Sequence, residues 1–130
     1  MMTTGIKGKM ERKVTDELTA EAIGSGELKV FATPALIALA EETAWKSVSG
    51  ELEDGKGTVG TRMDISHIAA TPVGMTVCCE TLLTQVDNRK LTFQIEVYDE
   101  SEKIAEGTHE RFIVDNERFQ TKATNKTKSD

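Results

Sequence analysis

The sequence has little of what marks secreted, metal-binding or nucleic-acid-binding proteins. Its two cysteines, Cys78 and Cys79, are neighbours. On a strand their side chains point to opposite faces, which disfavours a bridge between them and fits a reducing compartment. Histidine is equally scarce: only His67 and His109 are present, with no Cys-x-x-Cys or His-x-x-x-His pair, so no structural metal is expected. Lys and Arg number 16 against 22 Asp and Glu, a net charge of −6. That balance argues against the clustered basic surface that DNA or RNA requires. The longest apolar run, Ala35 to Ala40, is far too short to span a bilayer, and no apolar stretch of the kind a secretory leader needs precedes Lys13. The sequence therefore reads as a cytoplasmic protein with neither nucleic acid nor membrane as partner.

What is present describes an ordinary folded domain. At 130 residues, with 38% hydrophobic and 29% charged residues, the chain is long enough for one core without a staple. A single domain over residues 1–130 is expected, folded from about 9 to 120, with polar ends at residues 1–8 and Lys122 to Asp130 reading as loose. Met10 to Val14 has the weak pattern of a first strand. Thr33-Pro34 is a helix-start signal, because a Thr hydroxyl can cap free N–H groups and Pro tolerates the first turn. The helix it opens runs from about Pro34 to Ser49. At about 100° per residue, Leu36, Ala40, Ala44, Ile37, Val48 and Trp45 form one apolar arc. Glu41 falls inside that arc while Glu42 and Lys46 take the solvent side, so Glu41 is the one charge that violates the pattern. Such conflicts concentrate at functional sites.

After Gly50 the period changes to two. Val59, Thr61, Met63, Ile65 and His67 share one parity of a strand, against Arg62, Asp64 and Ser66. A strand from Met75 to Val86 is interrupted at Leu82-Leu83, where a bulge or two-sided burial is expected. Leu91, Phe93, Ile95 and Val97 alternate cleanly with polar residues, and a last strand spans Ile104 to Val114. One long helix followed by antiparallel strands packs as an α+β layer structure, the helix lying across one face of a curved sheet. In that packing Glu41 and His67 point toward the same interior.

Each candidate also has a plain structural explanation. Thr33 can be a cap, His67 a satisfied core histidine, and Glu41 can turn out to pair with a Lys or Arg. His109 reads as a strand histidine bonded to a neighbour rather than a catalytic group. The loop from Gly50 to Gly57 nearly matches a phosphate-binding loop, but it lacks the Ser/Thr after Lys56 and carries three carboxylates. Neither cysteine has a basic sequence neighbour to make it a nucleophile.

Taken together, Ala32-Thr33-Pro34, Glu41-Glu42-Thr43-Ala44-Trp45, Val59-Gly60-Thr61, His67, Ala70-Thr71-Pro72-Val73-Gly74 and Glu106-Gly107-Thr108-His109-Glu110-Arg111 resemble the fluoroacetyl-CoA thioesterase-like family of hotdog proteins. The match runs from about Lys13 to Val114. The resemblance implies a hotdog fold, a homodimer or higher oligomer with acyl-CoA at the subunit interface, and hydrolysis of a small acyl-CoA without a cofactor, coenzyme A being part of the substrate. It implies Thr33, Glu41 and His67 as the catalytic set, with Gly60 at the oxyanion. On this view desolvation among Trp45 and Val48 would strengthen Glu41 as a base or nucleophile. His67 would move a proton, Thr33 would orient its neighbours, and the Gly60 N–H would meet the developing oxyanion. Lys29, Arg62, Lys90 and Arg111 are candidates for coenzyme A phosphates, without a supporting motif. The acyl group itself depends on pocket shape and is not implied. Two other readings remain: a hotdog protein that binds acyl-CoA or another apolar ligand without turnover, and a hotdog dehydratase acting on a hydroxyacyl thioester. Eight residues of continuous helix would hold Thr33 and Glu41 roughly 12 Å apart. Either the helix starts later than Pro34, or the two residues meet from different chains.

Overall fold

The computed structural model describes residues 2–127. Five strands, β1 (Lys7–Lys13), β2 (Lys56–His67), β3 (Thr76–Asp87), β4 (Lys90–Tyr98) and β5 (Lys103–Asp115), form one sheet in the order β1-β3-β4-β5-β2, with every neighbouring pair antiparallel. The helices are α1 (Ala20–Ile23), α2 (Thr33–Val48) and α3 (Asn116–Thr124). The long helix α2 packs against β1, β3 and β2. Expected strand boundaries hold to within a few residues, but the order does not follow the chain. Only β3, β4 and β5 form a hairpin meander, whereas β2 crosses over to pair with β5 and becomes an edge.

The core lies between α2 and one face of the sheet. Val77, Cys79 and Leu83 on β3 and Leu91, Phe93, Ile95 and Val97 on β4 are buried, and Leu36, Leu39, Ala40, Ala44 and Val48 of α2 pack on them. The alternation read from β4 is what places its four apolar residues on this face. Fully burying a side chain such as Leu39 or Phe93 stabilises the fold by about 1.5–3 kcal/mol.

Four local differences from the sequence reading have physical causes. First, the buried stripe of α2 is centred on Leu36, Leu39, Ala40, Thr43 and Ala44. The row Ile37, Glu41, Trp45 runs along its flank, and Trp45 is 42% exposed. Second, β2 carries a bulge: Gly60 pairs with Arg111 but Arg62 pairs with Glu110, so Thr61 is the extra residue. The bulge puts Gly60, not Thr61, on the helix-facing side with Met63, Ile65 and His67, and turns Val59 outward with its partner Phe112. Third, the interruption in β3 is a bulge, but the register shifts between Leu83 and Gln85 rather than at Leu82-Leu83. Fourth, the ends read as loose are partly structured. β1 begins at Lys7, the Gly5 N–H donates to the Leu83 carbonyl, and α3 covers residues 116–124. Met1 and residues 128–130 lie outside the described part.

Candidate active site

Thr33 opens α2 as its first helical residue, with Ala32 in the capping position and no side-chain cap. Its hydroxyl is thus free of the capping role the sequence suggested, and Thr33 Oγ1 shares a 2.7 Å hydrogen bond with His67 Nδ1 at the end of β2. The other ring nitrogen, His67 Nε2, is buried and has no hydrogen-bond partner. Burial pushes the His67 pKa below its ordinary value, an effect the Ala69 backbone opposes, which favours the neutral ring. The pair lies in a cleft of about 310 Å³ whose walls include Val30, Phe31, Ile68 and Ala69. A neutral imidazole with one nitrogen held and the other unpartnered is equipped to take or give a proton.

Glu41 lies two turns further along α2. The helix is continuous from Thr33 to Val48, which removes the possibility that it starts late enough to let Thr33 and Glu41 touch. The enclosure of Glu41 by Trp45 and Val48 is not found: its side chain is 44% exposed and Trp45 is turned to the surface. Its neighbours are instead polar. Glu41 Oε2 is 3.6 Å from Arg111 NH1, and a Cβ built on Gly60 would meet Glu41 Oε2 at 2.5 Å, Arg111 NH1 at 3.2 Å and His109 Cε1 at 3.3 Å. Position 60 is glycine because the carboxylate takes the space a side chain would need.

The cluster beside Glu41 contains two residues that the sequence reading left out of the site. His109 and Arg111 are almost fully buried. His109 Nδ1 is 2.7 Å from the Arg62 carbonyl oxygen, as expected of a strand histidine satisfied by a neighbour. Arg111 donates from Nε to Thr58 Oγ1 at 2.8 Å and from NH2 to the Thr58 carbonyl at 3.0 Å, and its NH1 is 3.1 Å from His109 Nε2. Burial lowers the pKa of both, with Arg111 adding to the effect on His109. Arg111 is therefore committed inside the sheet and is not an open phosphate contact. A signal was present in the sequence: His109 and Arg111 take the buried parity of β5, the same kind of conflict that marked Glu41.

The candidates thus form two groups. Thr33 and His67 meet at one end of β2; Glu41 and Gly60 meet toward the other. At about 3.3 Å per residue, Gly60 and His67 are roughly 20 Å apart along the strand, so one chain does not bring all four together.

A long helix laid on an antiparallel sheet, with a hydroxyl–imidazole pair and a carboxylate along one edge strand, defines a protein of the hotdog-fold thioesterase class. The particular family follows from comparison: residues 14–117 match the family described as fluoroacetyl-CoA-specific thioesterase, and the chain belongs to that family. A fluoroacetyl-CoA thioesterase of Streptantibioticus cattleyicolor is 36% identical over 99 residues, spanning 76% of this chain and 71% of that protein. The solved structure of the fluoroacetyl-CoA thioesterase FlK superposes with a TM-score of 0.92 at 30% identity, covering 98% of this chain and 99% of that one. A hot-dog-like protein from Thermanaerovibrio acidaminovorans superposes at 0.89 with 18% identity, covering 99% of this chain and 96% of that one. At that identity the likeness concerns the fold alone.

Proposed function

We propose that this chain is a thioesterase that hydrolyses a small acyl-CoA to the free acid and coenzyme A, at a site completed by two protomers. The observation that carries the proposal is the division of the four site residues between the His67 end of β2 and its Gly60 segment, on a twelve-residue strand with an unpaired edge. A long free edge calls for a cover. A second copy pairing antiparallel along it, with the two-fold axis passing near Met63 and Asp64, lays the His67 end of one strand against the Gly60 end of the other. Thr33 and His67 of one protomer then face Glu41 and Gly60 of its partner. The exposed Trp45, on the same flank of α2 as Glu41, supports this reading as part of the covered surface.

The chemistry follows from the groups. Glu41 removes a proton from water, or attacks the thioester carbon itself; both routes add one water overall and give the acid and the free thiol. The Gly60 N–H meets the oxygen on which negative charge develops, a donor worth about 3 kcal/mol in comparable sites. His67, oriented through Nδ1 by Thr33, uses its unpartnered Nε2 to shuttle a proton at the reacting centre. No step calls for a cofactor. Adjacent free cysteines, with Cys79 buried inside the sheet, fit a cytoplasmic setting. Among the described residues no helix is long and apolar enough to cross a membrane.

A thiol-release assay over a panel of acyl-CoA substrates tests the proposal on the native chain and on Glu41→Gln and His67→Ala. The native protein is expected to release thiol, and each variant to lose at least about a hundredfold in rate. Equal rates in all three would remove the site assignment. Absence of thiol release from every acyl-CoA would remove the hydrolase, leaving either a binding protein, visible as ligand-induced thermal stabilisation without turnover, or a dehydratase, which changes the acyl chain and keeps the thioester.

A further inference from the structure

The proposed reaction leaves one motif, Ala70-Thr71-Pro72-Val73-Gly74, without a task, although it follows directly on the strand that carries His67. The β2–β5 ladder ends where His67 pairs with Ala105. Beyond it the Ile68 and Ala69 N–H groups share the Ile104 carbonyl at 2.7 and 3.3 Å, and the first residue to become fully buried is Thr71. Both of its oxygens are committed. The Thr71 carbonyl accepts from the Phe31 N–H at 2.8 Å, beside an isolated bridge between Val30 and Pro72, and the Thr71 hydroxyl donates to Asp99 Oδ2 at 2.8 Å. Pro72 has no N–H to add to this join and keeps Thr71 extended. Asp99 also organises the turn between β4 and β5, its Oδ1 accepting from the Ser101 and Glu102 N–H groups at 2.8 and 2.9 Å. Burial raises the Asp99 carboxyl, but the Ser101 N–H, the Thr71 hydroxyl and the Glu102 N–H together outweigh it and hold the group below its ordinary value. At neutral pH Asp99 is therefore the acceptor and Thr71 the donor.

These bonds bear on the site because Thr33 and His67 belong to separate segments, 34 residues apart. Phe31, two residues before Thr33, and Thr71, four after His67, are where the two segments join. The same segments supply Val30, Phe31, Ile68 and Ala69 to the walls of the cleft. Resting on the thioesterase reading above, we infer that Thr71, anchored through its hydroxyl to Asp99, is a positioning residue of the reaction: it sets the Phe31 segment against the His67 segment and thereby holds the Thr33–His67 bond. Without the anchor, the two segments meet through an isolated bridge past the end of a ladder, and Thr33 loses its fixed approach to Nδ1. A reacting group displaced by about 1 Å forfeits about a hundredfold in rate.

Thr71→Val keeps the volume and removes the hydroxyl, whereas Thr71→Ser keeps the hydroxyl. Thiol release is followed with the acyl-CoA that the native chain turns over fastest, at a temperature where every variant compared is folded. Thr71→Val is expected to lower kcat at least about tenfold, and Thr71→Ser to keep most of the native rate. The readout that a purely structural role would not move is the titration of His67, followed by imidazole 15N shifts, with His67→Ala identifying its signals against those of His109, the other histidine. Burial holds the native His67 pKa below 6.5. In folded Thr71→Val the ring is released from Thr33 and the cleft walls, so its pKa is expected to rise toward that value while His109 stays unmoved. Asp99→Ala removes the same bond from the turn side and is expected to shift His67 alike; it decides the question where Thr71→Val does not fold. An unmoved His67 titration in the folded variants overturns the proposal, as does a loss of rate that Thr71→Ser shares equally with Thr71→Val. The titration stands even if no acyl-CoA is hydrolysed, so failure of the anchor is distinguishable from failure of the thioesterase reading.

Discussion

Replacing Gly60 by Ala tests how closely the carboxylate is set against β2. The added methyl would lie 2.5 Å from Glu41 Oε2, and relief to an ordinary contact of about 3.5 Å requires the carboxylate to withdraw by about 1 Å. Displacement of a reacting group by that much costs about a hundredfold in rate. The fold is expected to suffer little, because the atom that meets the methyl most closely is the end of a half-exposed side chain, while the buried Arg111 NH1 at 3.2 Å and His109 Cε1 at 3.3 Å need give by only a few tenths of an ångström. Unfolding free energy should stay within about 1 kcal/mol of the native protein. Activity and stability therefore separate: kcat for the acyl-CoA that the native chain turns over fastest, followed by thiol release, falls about a hundredfold while thermal melting barely moves. A variant that turns over within about threefold of the native rate, folded and unshifted in melting, would refute the placement of Glu41 against Gly60 as the working geometry.

The Thr33 hydroxyl should matter more than its methyl. Thr33→Ser keeps the bond to His67 Nδ1 and most of the rate, whereas Thr33→Ala loses at least about tenfold in kcat with little change in stability, since Thr33 caps nothing; equal rates in the two variants would count against the pair. His67 and His109 are both pushed below their ordinary value of 6.5 by burial. Between that value and the lower folded-state pKa, the unfolded chain binds more protons. Their contribution to stability is thus complete above about pH 6.5 and is lost as the pH falls below it; melting that is unchanged or higher at about pH 5.5 than at pH 7 would contradict this. Burial also raises the Cys79 thiol to about 11 and pushes Cys78 upward. Both should resist alkylation in the folded protein at neutral pH, and Cys78→Ser should leave thiol release intact; rapid loss of activity on alkylation would contradict that reading.

Much of the fold was legible because its signals are local. Clean alternation at Leu91 to Val97, the Thr33-Pro34 start and the change of period after Gly50 each depend on a few neighbouring residues. Strand order was not legible, since nothing within β2 states that its partner is β5 rather than the next strand. The Thr61 bulge escaped for a related reason. Simple alternation assigns Thr61 to the inner face, and only pairing with β5 reveals the extra residue that swings Gly60 toward Glu41. The site was half legible. Glu41 and His67 broke the apolar pattern of their elements and drew notice; His109 and Arg111 did the same on β5 but were weighed one at a time. Their meaning lies in a cluster drawn from α2, β2 and β5 that no single segment displays. The exposure of Glu41 and Trp45 has the same origin, because the flank they occupy borders the unpaired edge of β2.

The division of the site between protomers is tested most directly by complementation. Glu41→Gln and His67→Ala proteins, each inactive alone, are unfolded together in equal amounts and refolded. Random pairing gives heterodimers in about half of the molecules, each with one intact site out of two, so about a quarter of the native acyl-CoA hydrolase activity should return. If the mixture stays as inactive as its components while size measurements show that mixed dimers have formed, the four residues do not work across two chains and the proposed site is wrong.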